Sequence, residues 1–302
     1  MTSAPGSTTL RDRYTCFDVT IAGHIAHLTL NRPDKRNSMI REFWSELPQA
    51  IQAIDAGSLA RVIVISSTGP HFSSGIDVNL FGAEAQRAAS EDAAAQRTRR
   101  IAHGADFHAR VTSMQQTFTA IEQCRIPVIA AIQGGCLGGG VDLITACCMR
   151  YATADAYFSI FETNIGMTAD VGTFPRLVKL IAEGIVRELA YTGRAMPAAE
   201  ARAVGLVNAI YPDQATMLTE VMAIANTIAS KAPLAVHGCK RIITHARDNP
   251  TAATLDYVGL WNASFLSYDE IGEAMHANAQ KRPAQFVDLP VMGGAIGEPS
   301  QA

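Results

Sequence analysis

The 302-residue chain is long enough for two domains, or for one large domain with an appendage, and can bury a sizeable core. Hydrophobic residues at 48% and charged residues at 18% exclude wholesale disorder, and 25 basic against 28 acidic residues, a net charge of −3, lack the basic excess of nucleic-acid binders. Six cysteines without a C-x-x-C pair exclude a disulfide scaffold and predict reduced, mostly buried thiols in a cytoplasmic protein.

The start, Met1 to Thr9, is polar and has no apolar h-region, so no secretory signal is expected. Thr15 to Ile21 and Ile25 to Leu30 read as strands turning at Ala22-Gly23-His24. After a polar loop, Asn37 or Ser38 is a candidate cap for a helix in which Phe43, Leu47, Ala50, Ile51 and Ile54 recur at helical spacing. Arg61 to Ser67 reads as a strand buried on both faces. Ala83 to Arg100 is expected to be exposed helix or a mobile segment, and Phe107 to Cys124 a long helix.

Pro127 to Ile132 is a second buried strand. It runs into a glycine turn, Gly134 to Gly140, and then a helix from Val141 to Cys148. That strand, turn and helix form half of a βαβ unit. No stretch of the chain is uninterruptedly apolar over the length of a bilayer, so no membrane association is expected. Further strands are predicted at Met149 to Thr153 and Tyr157 to Ile160. From about Asp213 the pattern is almost all helical, with breaks near Ala232-Pro233 and Asn249-Pro250. The expected divisions are an N-terminal tail (1–14), an α/β core (15–212), a helical C-terminal region (213–288) and a tail (289–302) that ends without a Ser-Lys-Leu address.

The glycine turn exposes backbone N–H groups at a helix N-terminus, which favours an anion or a developing oxyanion. Neither a Walker loop nor a dinucleotide fingerprint is present. A second turn, Phe72-Ser73-Ser74-Gly75-Ile76-Asp77, follows the first buried strand, and Gly75 could aim the Ile76 N–H into a cavity. Two such donors meeting at one carbonyl oxygen make an oxyanion hole.

These two turns together resemble the signature turns of the crotonase (enoyl-CoA hydratase/isomerase) superfamily. Leu30-Asn31-Arg32-Pro33, Ile126 to Ala131, and Gly193 through Gly205-Leu206-Val207 add to the similarity, which runs from about Phe17 to Phe286. The resemblance implies an α/β crotonase (ClpP/crotonase-like) fold of repeated ββα units, with a helical C-terminal trimerisation region. It implies an acyl-CoA substrate and a homotrimer, or a hexamer made as a dimer of trimers. It further implies that Ile76 and Gly139, or Gly140 one position on, polarise the thioester oxygen. Ser74, Gly75, Asp77, Val78, Gly140, Lys35 and Arg36 would bind substrate, with Lys35 and Arg36 near the coenzyme A phosphates. Lys281 and Arg282 are a second basic pair for that role. Coenzyme A is part of the substrate, and no separate cofactor or metal is expected.

Three carboxylates select the branch. Asp142 follows the glycine turn, Glu162 lies just past a strand, and Asp170 lies in Met167 to Thr173. This set resembles the Δ3,5-Δ2,4-dienoyl-CoA isomerase branch, because a hydratase commonly has Glu at the first of these positions and a small residue at the third. The implied reaction, within fatty-acid β-oxidation, moves two conjugated double bonds, with a proton leaving C2 and another arriving at C6. The resemblance assigns Glu162 to C2, Asp170 to C6, and Asp142 to orienting or tuning the pair; the first two roles could be exchanged. Taken singly, Asp142 could be a first-turn helix carboxylate, Glu162 a solvated strand end, and Asp170 a cap for the helix near Thr173. The alternatives are 2-enoyl-CoA hydration and a non-enzymatic RNA-binding role resting on Arg97, Arg99 and Arg100. His71 reads as an ordinary loop histidine, and Cys147-Cys148 as structural.

Overall fold

In the computed structural model, residues 13–80 and 92–293 are described, with the backbone of Thr8–Thr9. Most of the 1–14 tail, residues 83–91 of the Ala83 to Arg100 segment, and the end of the C-terminal tail lie outside the described residues. The architecture is α/β, with a mainly parallel sheet and a helical C-terminal region.

Strands β1 (Phe17–Ala22) and β2 (Ile25–Leu30) form an antiparallel hairpin in which Thr20 faces His27. Its turn needs two left-handed residues, supplied by Gly23 (φ 55°) and His24 (φ 65°). Helix α1 (Phe43–Ala56) returns the chain to β3 (Val62–Ser67), which runs parallel to β2 with Ile25 opposite Val62. Helix α2 (Ala93–Gln123) leads to β4 (Val128–Ile132), parallel to β3 with Val64 opposite Ile129. All residues of β3 and β4 are buried, as expected for strands covered on both faces.

The chain continues through β5 (Gly135–Leu137), α3 (Gly139–Ala146), β6 (Met149–Thr153) and β7 (Tyr157–Ser159). It then passes α4 (Thr173–Leu177), α5 (Glu183–Thr192) and α6 (Ala198–Ala203) to β8 (Ala209–Tyr211). The large sheet runs Thr8–Thr9, β1, β2, β3, β4, β6, β8; a small sheet joins β5, β7 and Met196–Pro197. One face of the large sheet packs with Phe43, Leu47, Ile51 and Phe118 of α1 and α2 in the main core. The other packs Val62, Val64, Ile129 and Ala131 against Met217, Val221 and Ala225 of α7 (Gln214–Ala229). Helices α8 (Pro233–Asp248), α9 (Thr251–Phe265) and α10 (Tyr268–Ala279) follow.

Two local expectations are corrected. Helix α1 starts after Glu42 with no side-chain cap. Asn37 and Ser38 instead serve the preceding loop: Asn37 Nδ2 donates to the carbonyls of Thr68 and His71, and Ser38 Oγ donates to Asp77. Helix α2 begins at Ala93, well before Phe107, with Asp92 accepting from the Ala95 N–H at 2.7 Å. Of its residues only Thr117, Phe118 and Ile121 are buried, so its first half carries no apolar stripe that would reveal a helix.

Candidate active site

Both glycine-bearing turns arise at the C-terminal ends of buried parallel strands, where open α/β sheets place their ligands. The turn after β3 is stitched to the turn after β4. Ser73 N–H donates to Gly135 O, and Leu137 N–H donates to Ser73 O. Gly75 has a left-handed φ of 80°, and a Cβ there would come within 2.8 Å of Leu137 O and 2.9 Å of Gly139 N. Only glycine lets the two turns approach this closely.

The direction of each amide follows from peptide geometry. In a trans peptide the C=O and N–H point opposite ways. Gly75 O accepts from Met39 N–H at 2.8 Å, which turns the Ile76 N–H away from Met39. Gly138 O accepts from Val141 and Asp142 N–H along α3, which turns the Gly139 N–H away from the helix. Neither the Ile76 nor the Gly139 N–H has an acceptor among the described residues. They are neighbours: a Cβ built on Gly139 would lie 3.6 Å from Ile76 N. An unpaired amide pair at a helix N-terminus suits a developing oxyanion.

A cavity of about 400 Å³ opens at these amides. Lys35, Arg36, Ser74, Ile76, Asp77, Val78, Gly138, Gly139, Glu162 and Asp170 all line it, so sequence positions far apart are brought together. Its apolar wall comes from Leu137, Phe161, Ile165, Met167 and Val171. Gly140 lies behind the wall instead, where a Cβ would meet Ser73 O at 3.2 Å and Cys136 Sγ at 3.3 Å. This favours Gly139 over Gly140 as the donor. Arg282 is engaged with Glu273 at 2.6 Å and, like Lys281, does not line the cavity.

Glu162 lies in a 3-10 turn, Glu162–Ile165, just after β7. Its Oε1 stands 3.1 Å from where a Gly138 Cβ would be, at the amide end of the cavity. Its Oε2 is buried without a hydrogen-bond partner. Burial raises its pKa, and the Asp170 charge adds to the rise. Asp170 is also raised by burial. Its loop is anchored from α2, where Gln115 Nε2 donates to Asp170 O at 2.7 Å.

Asp142 is fully buried beneath the cavity. Its Oδ1 accepts from Thr173 N–H at 2.6 Å and Thr173 Oγ1 at 2.8 Å, while Oδ2 has no partner. Burial pushes its pKa up to about 7 against the opposing Thr173 hydrogen bonds, with the Glu162 and Asp170 charges adding to the rise. Asp142, not Asp170, therefore caps α4. Asp77 is an ordinary ionised carboxylate: burial is outweighed by hydrogen bonds from Asn79 and Ser38 and by Arg32, which hold it below the usual range.

Contacts that brace the site also come from Met39 and Gln115, which the sequence did not single out, and from Ser73 and Thr173, read there only as turn and helix-start residues. His71 is a turn anchor rather than a solvated side chain, since its Nδ1 accepts from Gly135 N–H at 3.0 Å. Among the described residues no group of three or more His, Cys, Asp or Glu side chains is placed to hold a metal ion. No described helix is long and apolar enough to cross a membrane.

Comparison with known proteins bears on this site. The enoyl-CoA hydratase/isomerase family matches residues 20–289. The mitochondrial Delta(3,5)-Delta(2,4)-dienoyl-CoA isomerase of Mus musculus is 42% identical over 278 residues, 91% of this chain and 82% of that protein. The peroxisomal protein of the same name from Arabidopsis thaliana is 38% identical, covering 88% of this chain and 93% of that one. A crystal structure of enoyl-CoA hydratase from Bacillus anthracis superposes with a TM-score of 0.76 at 29% identity, covering 90% of this chain and 99% of that one. These names correct the expectation of a cytoplasmic protein, because the isomerase relatives are mitochondrial or peroxisomal. Free thiols, which all six cysteines are, report on redox state and not on which compartment provides it.

Proposed function

The chain belongs to the enoyl-CoA hydratase/isomerase family, and we propose that it converts 3,5-dienoyl-CoA to 2,4-dienoyl-CoA by proton transfer between two carboxylates. The observation that carries this reading is the placement of Glu162 and Asp170 in one cavity with the Ile76 and Gly139 amides. A hydratase needs acid and base work at adjacent carbons. Moving two conjugated double bonds needs it at C2 and at C6, four carbons apart.

The thioester oxygen is held by the Ile76 and Gly139 N–H groups, which acidify the C2 proton and stabilise the enolate. Glu162, at the amide end, takes the C2 proton. The electron pair moves into the C2–C3 bond, C3=C4 becomes C4=C5, and the C5=C6 pair takes a proton at C6 from Asp170. Atoms and charge balance, and the oxidation level does not change, so acid–base groups suffice. Burial lets both carboxyls hold a proton nearer neutral pH than an exposed acid could. Asp142 holds Thr173, three residues beyond Asp170, and so orients the acid loop. Lys35 and Arg36, at the cavity rim, suit the coenzyme A phosphates.

The protein assembles as a homotrimer, or as a hexamer of two trimers. Supporting this, the C-terminal helices leave large apolar side chains in the open, with Leu255, Leu260 and Met275 each above 60% exposed. The activity test is ultraviolet detection of conjugated 2,4-dienoyl-CoA from 3,5-dienoyl-CoA across chain lengths, beside hydration of 2-enoyl-CoA. Isomerisation dominating hydration is the expected result. Hydration alone would return the chain to the hydratase reading.

A further inference from the structure

The Ile76 amide hangs on a glycine, the residue least able to hold a direction by itself. Gly75 therefore needs a pin on each flanking peptide. On one side Met39 N–H holds Gly75 O at 2.8 Å. On the other, Ser73 Oγ accepts from Gly75 N–H at 3.1 Å. The same hydroxyl donates to Asn37 O at 2.9 Å. One proton and two lone pairs account for both contacts. Asn37 is itself fixed, its Nδ2 donating at 2.9 Å to Thr68 O and to His71 O.

The main chain of Ser73 faces the other turn. Its N–H donates to Gly135 O at 3.2 Å, and its carbonyl accepts from Leu137 N–H at 2.9 Å. Ser73 is fully buried, and it does not line the cavity. Its side chain thus orients the first amide while its backbone is laced to the strand that leads into the second.

Resting on the reading of Ile76 and Gly139 as the thioester-binding amides, we propose that Ser73 is a positioning residue whose hydroxyl sets the aim of the Ile76 N–H relative to Gly139. It acts through Gly75 and touches no substrate atom. Its removal weakens enolate stabilisation more than ground-state binding, because the enolate oxygen gains most from a well-aimed donor.

The test compares Ser73→Ala with Ser66→Ala. Ser66 is equally buried, but its hydroxyl pairs with His27 Nε2 at 2.7 Å on the sheet. Three quantities are measured: kcat and KM with 3,5-dienoyl-CoA, the ultraviolet enolate band of bound acetoacetyl-CoA, and Tm. For Ser73→Ala, kcat should fall about tenfold, less than deletion of a whole oxyanion donor costs, with KM within about twofold and a smaller enolate fraction. Ser66→Ala should lower Tm but leave kcat and the enolate band unchanged. If Ser73→Ala does not fold, Ser73→Cys, with its weaker acceptor, should show the same pattern. A wild-type enolate band and kcat in the Ser73 variant would overturn the proposal, as would an equal kcat loss in Ser66→Ala. Wild-type protein that binds acetoacetyl-CoA as the enolate yet fails to isomerise dienoyl-CoA would overturn the functional reading alone.

Discussion

Asp142 and Thr173 are joined by two hydrogen bonds to a single carboxylate oxygen, 2.6 Å from the backbone N–H and 2.8 Å from the hydroxyl. The contact ties the helix after the glycine turn to the first turn of the helix after Asp170. An acid thereby caps a helix thirty-one residues away in sequence.

Because burial pushes Asp142 up to about 7 from an ordinary 3.8, folding is coupled to proton uptake between those values. Its stabilising effect is fully present below the unfolded value and is lost as pH rises through about 7. Asp142→Asn keeps an acceptor for Thr173 but cannot titrate. Thermal melts across this range should therefore show a shallower fall of Tm with pH in the variant. An unchanged slope would place the titration elsewhere.

The pH dependence of turnover should be bell-shaped. On the proposed roles, Glu162 must be ionised to take the C2 proton and Asp170 protonated to supply C6. Burial raises both, so the acid limb should lie above the ordinary glutamate value of 4.5 and the alkaline limb above that of ordinary aspartate. The limbs belong to the coupled pair rather than to either residue alone. Plots of kcat/KM against pH give both limbs of the free enzyme; an acid limb at or below 4.5 would contradict the desolvated pair.

Gly138 has φ 49°, and a Cβ there would sit 3.1 Å from Glu162 Oε1. Gly138→Ala therefore strains the turn and crowds the base. Glu162 must then give by a few tenths of an ångström, so kcat should fall, by less than the roughly 10²-fold that a misplacement of about 1 Å costs, while substrate still binds. Steady-state kinetics with a melting curve would check it, and near-wild-type kcat would remove Glu162 from this end of the cavity.

The parts legible in the sequence were those with local signatures. Two buried strands ending in glycine turns were read from local pattern, and the family resemblance those turns carry then singled out the three acids. Contacts between distant segments were not legible. Nothing near Asn37 marks it as a brace for Ser73 rather than a helix cap, and nothing near Thr173 marks Asp142 as its partner. The early half of α2 was legible only as exposed helix or a mobile segment without placed ends, because a helix that is polar all round has no hydrophobic period.

Deuterium tracing tests the two-carboxylate claim most directly. In D₂O, wild-type protein should form 2,4-dienoyl-CoA carrying deuterium at C6. Asp170→Asn should form almost no product yet return 3,5-dienoyl-CoA labelled at C2, because Glu162 still takes and returns that proton. Glu162→Gln should return it unlabelled. Label at C2 from Glu162→Gln, or undiminished product from Asp170→Asn, would contradict the account.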